Sequence, residues 1–340
     1  MPNNIREWKN MQHKRLGRTG LKVSRLCLGT MTFGNQCDET MSHAILDYAL
    51  DAGVSFIDTA DIYPANGVPE LVGETENIIG RWMKGRRKDV VLATKFWAPT
   101  GKNPWQGGAS RRNILDSVDD SLRRLQTDYI DLYQVHFPDY ETPIDETLGA
   151  LDDLVRQGKI LYAGCSNYPS WLLALTLGEA SLSKTIRFDV VQPRYNLLFR
   201  QPERELLELC KFSDIGVIPY NPLAGGLLTG KHKRTGPEDG SRFTLQGGQG
   251  DRYLDRYWND MMHDTVDALK PLAKQAGITL AHLAVGWVLA NPAITSPIVG
   301  ATKPSQLDDA INAVNNPLTE NLVHAIDEIT EVFRQGDDQR

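Results

Sequence analysis

Eight short apolar runs, each followed by a longer segment of helical periodicity, constrain this chain more than any other feature. They fall at residues 26–30, 54–60, 89–95, 129–136, 160–167, 189–196, 216–222 and 296–301. Each is too uniformly apolar for a sheet with one wet face, which suits parallel strands covered on both sides. The intervening segments repeat every three to four residues. In the one that begins at Ser110, a residue placed to cap the helix, Ile114, Val118, Leu122 and Leu125 share a face and Arg123 and Arg124 sit in the last turn. In the next, Thr142 precedes Pro143 at the expected first helical position, Leu148, Leu151, Leu154 and Val155 form the buried stripe, and Gly158 ends it. Strand and helix alternating eight times over 340 residues predict an α/β fold, a (β/α)8 TIM barrel, with a doubly wound open sheet as the competitor.

Two segments interrupt the alternation. Residues 14–23 read as two short strands around a Gly-containing turn, a β-hairpin expected to close the barrel floor. Residues 231–260, after the seventh strand, are rich in Gly, Lys, Arg and Asp and lack core periodicity, which predicts a long functional loop. No linker is visible, so residues 1–340 are expected to form one domain with residues 1–13 as an N-terminal extension.

Composition removes several function classes. Hydrophobic residues at 41% and charged residues at 24% are enough to build a substantial core. A net charge of −6, without a long Lys/Arg run, gives no attraction to nucleic acid or anionic lipid. Cys27, Cys37, Cys165 and Cys210 lack Cys-x-x-Cys spacing and are expected to be reduced thiols. No histidine pair has zinc-ligand spacing, so no metal is expected. With no eighteen-residue apolar run and no leader pattern, the chain reads as cytoplasmic.

In a barrel the chemistry gathers where strands end at their C-terminal mouth. The second strand runs into Asp58 and, after a short turn, Tyr63; the third ends in Lys95 and the fourth in His136. That set suits proton delivery to a carbonyl oxygen as hydride reaches its carbon. A free tyrosine, with a pKa of about 10, is a weak acid at neutral pH. A neighbouring ammonium lowers it, and a carboxylate keeps the ammonium charged and in place. Tyr63 is thus the candidate acid, Lys95 its tuner, Asp58 the anchor, and neutral His136 the group that orients and polarises the carbonyl.

The stretch Gly53-x-x-Phe56-Ile57-Asp58-Thr59-Ala60-x-x-Tyr63, with Gly73-Glu74, Ala93-Thr94-Lys95 and the strand ending Gln134-Val135-His136, closely resembles the aldo-keto reductases. So do Gly164-x-Ser166-Asn167, Gln192-Pro193-x-Tyr195-Asn196 and the segment from Pro219 to Lys231. The likeness is to the long-chain bacterial and fungal type related to potassium-channel β-subunits. It implies hydride transfer between a nicotinamide cofactor and a small carbonyl or alcohol. Thr30, Met31 and Asp58 would border the cofactor; Ser166, Asn167 and Gln192 would hold the carboxamide, with Tyr220 stacked on the ring. Asn221, Pro222, Leu223 and Gly225, with Lys231 and Arg242, would receive the pyrophosphate. From its Gly content and basic residues, the segment 235–257 is expected to fold over the cofactor as a lid. Gly300, Thr302, Lys303, Gln306 and Asp309 would take the adenosine end.

Gln306 stands where many relatives place an arginine against the 2′-phosphate, and Ala310 replaces an asparagine. Thr302, Lys303 and Gln306 can still donate to a phosphate, and no acidic clamp for a free 2′-hydroxyl is evident, so NADPH is the expected cofactor with NADH possible as well. Met31, Phe33 and Trp97, with Tyr63 and His136, are the candidate substrate pocket. Gly225-x-x-x-x-Gly230-Lys231-His232 misses a P-loop because His232 replaces the magnesium-binding Ser or Thr. The remaining alternative is a nicotinamide-binding regulatory subunit, although the channel subunits carry Asn where this chain has His136.

Overall fold

A computed structural model of the protein describes residues 11–64, 67–245 and 248–334. Most of the expected N-terminal extension, and Gly247 in the long loop, lie outside these residues. Eight parallel strands follow one another around a barrel: β3 (Cys27–Gly29), β4 (Phe56–Asp58), β5 (Val91–Phe96), β6 (Ile130–Val135), β7 (Ile160–Ser166), β8 (Phe188–Gln192), β9 (Gly216–Val217) and β10 (Ile298–Gly300). Ladders join each to the next from β3 to β9, and β10 to β3. Between β9 and β10, bridges pair Val217 with Ile294 and Tyr220 with Ile298, and the Ile298 amide donates to the Pro219 carbonyl at 2.8 Å. The sheet therefore closes, as the eightfold alternation predicts, and the open-sheet alternative falls.

The helices on the outside are α1 (Glu39–Asp51), α2 (Glu74–Met83), α3 (Arg111–Leu125), α4 (Ile144–Arg156), α5 (Ser170–Ser183), α6 (Leu206–Phe212), α7 (Gln249–Tyr257), α8 (Asp260–Gln275), α9 (Leu280–Ala290), α10 (Asp308–Asn315) and α11 (Glu320–Thr330). Ser110 caps α3 through its side chain, as expected. Pro143 sits one place earlier than expected, at the N-cap of α4.

Period-two alternation organises the barrel interior. Cys27, Phe56, Ala93, Leu132, Val190 and Ile298 form an apolar layer, closed from below by Leu16 and Val23 of the hairpin β1 (His13–Arg15) and β2 (Lys22–Ser24). Two residues further along the same strands come Gly29, Asp58, Lys95, Gln134, Gln192 and Gly300. The sequence thus stacks a polar layer on an apolar one, with glycines on β3 and β10. A Cβ at Gly29 would come within 2.7 Å of Ile298 Cγ2.

The segment 231–260 is not the structureless loop its composition suggests. It carries a single turn at Arg242–Thr244 and the helix α7, and Phe243, Tyr253 and Tyr257 are buried. Phe243 and Trp258 pack against His232, and Trp258 in turn meets His263 of α8. Aromatic burial, which charge-rich composition masks, gives this strap a small core of its own and ties it to α8 through Trp258. All four cysteines are buried and free. No single helix among the described residues is long and apolar enough to cross a membrane.

Candidate active site

Asp58 and Lys95 meet at the centre of the polar layer. Lys95 Nζ donates to Asp58 Oδ2 at 2.5 Å and to the Thr59 carbonyl at 2.7 Å, and both side chains are almost wholly buried. The other carboxylate oxygen, Oδ1, accepts from Gln192 Nε2 at 2.9 Å and from Gln134 Nε2 at 3.2 Å. Gln192 also donates to Gln134 Oε1 at 3.3 Å. Burial works against the Lys95 ammonium, but the charge of Asp58, with Tyr63 and the direct bond, outweighs it and holds Lys95 above its ordinary range. Sequence reasoning missed Gln134 as a site residue, because an amide inside an apolar strand carries no signal until its partner is known.

Tyr63 lies over this pair, with Lys95 Nζ 5.1 Å from its ring centroid. The amides of Gly73 and Thr75 at the start of α2 both donate to the Tyr63 carbonyl, fixing its backbone. Gly73 is required there: its φ is +83° and a Cβ would stand 2.6 Å from Arg124 Cδ. Burial pushes the Tyr63 hydroxyl above its ordinary value while Lys95 pulls it down. His136 meets Tyr63 edge-on at 5.9 Å, and burial with the charge of Lys95 drives its pKa well down, so the imidazole is neutral.

These residues open into a cavity of about 790 Å³. Of the sequence-predicted cofactor residues, Thr30, Met31, Asp58, Ser166, Asn167, Gln192, Tyr220, Asn221, Pro222, Leu223, Gly225, Lys231, Arg242, Gly300, Thr302, Lys303, Gln306 and Asp309 all line it. Several are already tied to one another. Tyr220 donates to Asn167 Oδ1 at 2.7 Å, Asn167 Nδ2 donates to the His136 carbonyl at 3.0 Å, and Ser166 donates to the Gln192 carbonyl at 2.8 Å. Gln306 Oε1 accepts from the amide and hydroxyl of Thr302, which leaves its NH₂ end to face a ligand.

Two substrate-pocket expectations fail. Phe33 is fully buried in the core, because the Phe33 amide turns back onto the Thr30 carbonyl and carries the ring outward. Trp97 does not line the cavity; it packs on Phe137, which does. Met31, Tyr63 and His136 remain, joined by Ile62, Ala98 and Phe137. The strap adds Gln249, Arg252, Tyr253 and Arg256, none of which the sequence singled out, and Gln36 Nε2 donates to the Gly240 carbonyl at 2.7 Å across the gap.

The cavity fits a dinucleotide on its own evidence. Asn221 Nδ2 and Ser241 Oγ line it and are buried without a partner. The turn after Leu223 places Gly225 and Gly226 at φ +70° and +108°, beside Lys231 and Arg242. Unspent donors, bare backbone and cations on one wall are the means by which proteins hold phosphate. Among the described residues no cluster of acidic, His or Cys side chains could hold a metal ion.

Residues 25–331 match the aldo/keto reductase family model. The chain is 40% identical over 328 residues to the uncharacterized oxidoreductase YrpG of Bacillus subtilis, covering 94% of this chain and 96% of the relative. It is 37% identical to a probable voltage-gated potassium channel subunit beta of Arabidopsis thaliana, covering 95% and 97%, and 34% identical to protein tas of Escherichia coli, covering 95% and 99%. The chain belongs to the aldo/keto reductase family.

Proposed function

We propose that the protein reduces aldehydes or ketones to alcohols, reversibly, with NADPH. The observation that supports this most is the buried Lys95 ammonium, held charged by Asp58 beneath the Tyr63 ring. When bound, the nicotinamide supplies hydride to the carbonyl carbon. Ser166, Asn167 and Gln192 hold its carboxamide and Tyr220 backs its ring. Tyr63 gives its proton to the carbonyl oxygen, and Lys95 stabilises the phenolate left behind. Neutral His136 donates a hydrogen bond to that oxygen and orients it. In the alcohol-oxidising direction the same tyrosine accepts the proton. Lys231 and Arg242 offer charge to the pyrophosphate, while Thr302, Lys303 and the amide of Gln306 offer donors to a 2′-phosphate.

The test is nicotinamide absorbance with a panel of aldehydes. Oxidation of NADPH is expected, with Tyr63→Phe losing about 10²–10⁴-fold in kcat while keeping NADPH affinity, because the phenol acts on the transition state. Binding of NADPH without oxidation would favour the second role, a regulatory nicotinamide-binding subunit; the plant relative is named a probable channel subunit. The complete set of Asp58, Tyr63, Lys95 and His136 favours turnover.

A further inference from the structure

Helix α7 of the strap sorts its charges. Gln249, Arg252, Tyr253 and Arg256, spaced along one helical face, border the cavity, Arg256 half-buried and Arg252 exposed at its rim, whereas Asp251 and Asp255 are exposed on the far side. On a merely solvated helix, Arg252 and Asp255 at i,i+3 would be free to pair. Here neither Arg252 nor Arg256 has a carboxylate partner or a side-chain hydrogen bond among the described residues. The arginines face inward without an acceptor, and the aspartates face away.

The cofactor assigned above does not account for them. Its pyrophosphate has Lys231 and Arg242, and its 2′-phosphate has Lys303. Arg256 lies instead toward the catalytic end: Tyr257 beside it accepts from Asn196 Nδ2 at 3.1 Å, and the same Nδ2 donates to the carbonyl of Asn221, next to Tyr220. Burial also pushes the Tyr220 hydroxyl up, and the first charge that pulls it back is Arg256. That hydroxyl is bonded to Asn167, which is bonded to the carbonyl of His136. Around the reacting position the wall is otherwise apolar, made by Met31, Ile62, Ala98 and Phe137. An uncharged carbonyl compound would leave the half-buried Arg256 guanidinium unmatched beside it.

We propose that Arg256, with Arg252 beside it, is an anion subsite of the catalytic cavity, and that the preferred substrate is a carbonyl compound bearing a carboxylate or phosphate. This rests on the carbonyl-reductase reading above. The planar, always charged guanidinium suits either group through paired hydrogen bonds. The subsite also makes the strap part of substrate selection, since both arginines stand on α7.

Initial rates with NADPH test this on matched aldehydes: 4-carboxybenzaldehyde against benzaldehyde, and glyceraldehyde 3-phosphate against glyceraldehyde. The charged member of at least one pair is expected to be preferred by about tenfold or more in kcat/KM, the size of one charge-assisted hydrogen bond. Whichever pair shows it distinguishes carboxylate from phosphate. In Arg256→Met the preference should collapse toward one, and Arg256→Lys should keep part of it. Equal handling of charged and neutral members by the wild type would overturn the proposal. So would an Arg256→Met variant that loses NADPH affinity, measured by fluorescence titration, with the preference intact. If no aldehyde is reduced, the reductase reading fails and calorimetry on the NADP+ complex decides the subsite. Tighter binding of 4-(hydroxymethyl)benzoate than of benzyl alcohol, lost in Arg256→Met, supports it, and equal binding overturns it.

Discussion

At the bottom of the cavity Asp58 takes three side-chain donors, from Lys95, Gln134 and Gln192. Across the top, Arg252 and Arg256 of the strap take no acceptor among the described residues. The difference follows from dielectric. A carboxylate closed off from water must be met by protein donors or it loses its charge, so the barrel floor is finished before any ligand arrives. A guanidinium at the rim stays hydrated without a partner and keeps its hydrogen-bonding capacity for what binds. One region is preorganised, and the other is held in reserve.

The sharpest way to break that contrast is to remove one member of the buried pair. Lys95→Met should cost about 3–5 kcal/mol in urea denaturation, because it strands a buried carboxylate, and Asp58→Asn in the same chain should restore part of the loss. If Lys95→Met alone were near neutral, Asp58 would not be charged in the native state. Next in size, Gln134→Leu should lower stability by about 1.5–3 kcal/mol, as loss of a bond to a charged group does, and should lower kcat with it. A variant matching wild type in both would make Gln134 packing only.

Acidification should separate the two regions. His136 at the floor, His232 within the strap and His263 of α8 against it all have pKa values lowered by burial. The unfolded chain therefore takes up protons first. Stability is complete above the unfolded histidine value of about 6.5 and declines as pH falls below it. The thermal midpoint should fall over that range, and protease cleavage within residues 231–260 should rise before activity at the floor is lost, since the His136 pKa is driven down further. Cleavage that lags behind loss of activity would reverse the order. The smallest effect belongs to Gln36→Ala, which removes the bond to Gly240 at the strap. It should cost about 0.5–1.5 kcal/mol locally, read as faster nicking of the same segment. Unchanged nicking would show that this bond does not hold the strap.

Much of the barrel is visible in the chain because parallel strands buried on both faces must be apolar throughout, and eight such runs leave few alternatives. Asp58, Lys95 and His136 are visible for the same reason: each is a charged or titratable residue at the end of an apolar run. Phe33 and Trp97 mislead because closeness to a strand end says nothing about which way the following turn sends a ring. The helix α7 was hidden in a charge-rich stretch, although Tyr253 and Tyr257, four residues apart, are the trace of its buried face.

By itself the sequence determined the order of the strands and the polar layer set two residues beyond the apolar one, since both depend on local alternation. Which polar groups share a charge was decided only by closure of the barrel. Gln192 reaches Asp58 across 134 residues of sequence, and Arg242 lies over Met31 across 211. No local pattern encodes such pairings, because they exist only once eight strands and a strap anchored by aromatic rings have brought distant segments to one cavity.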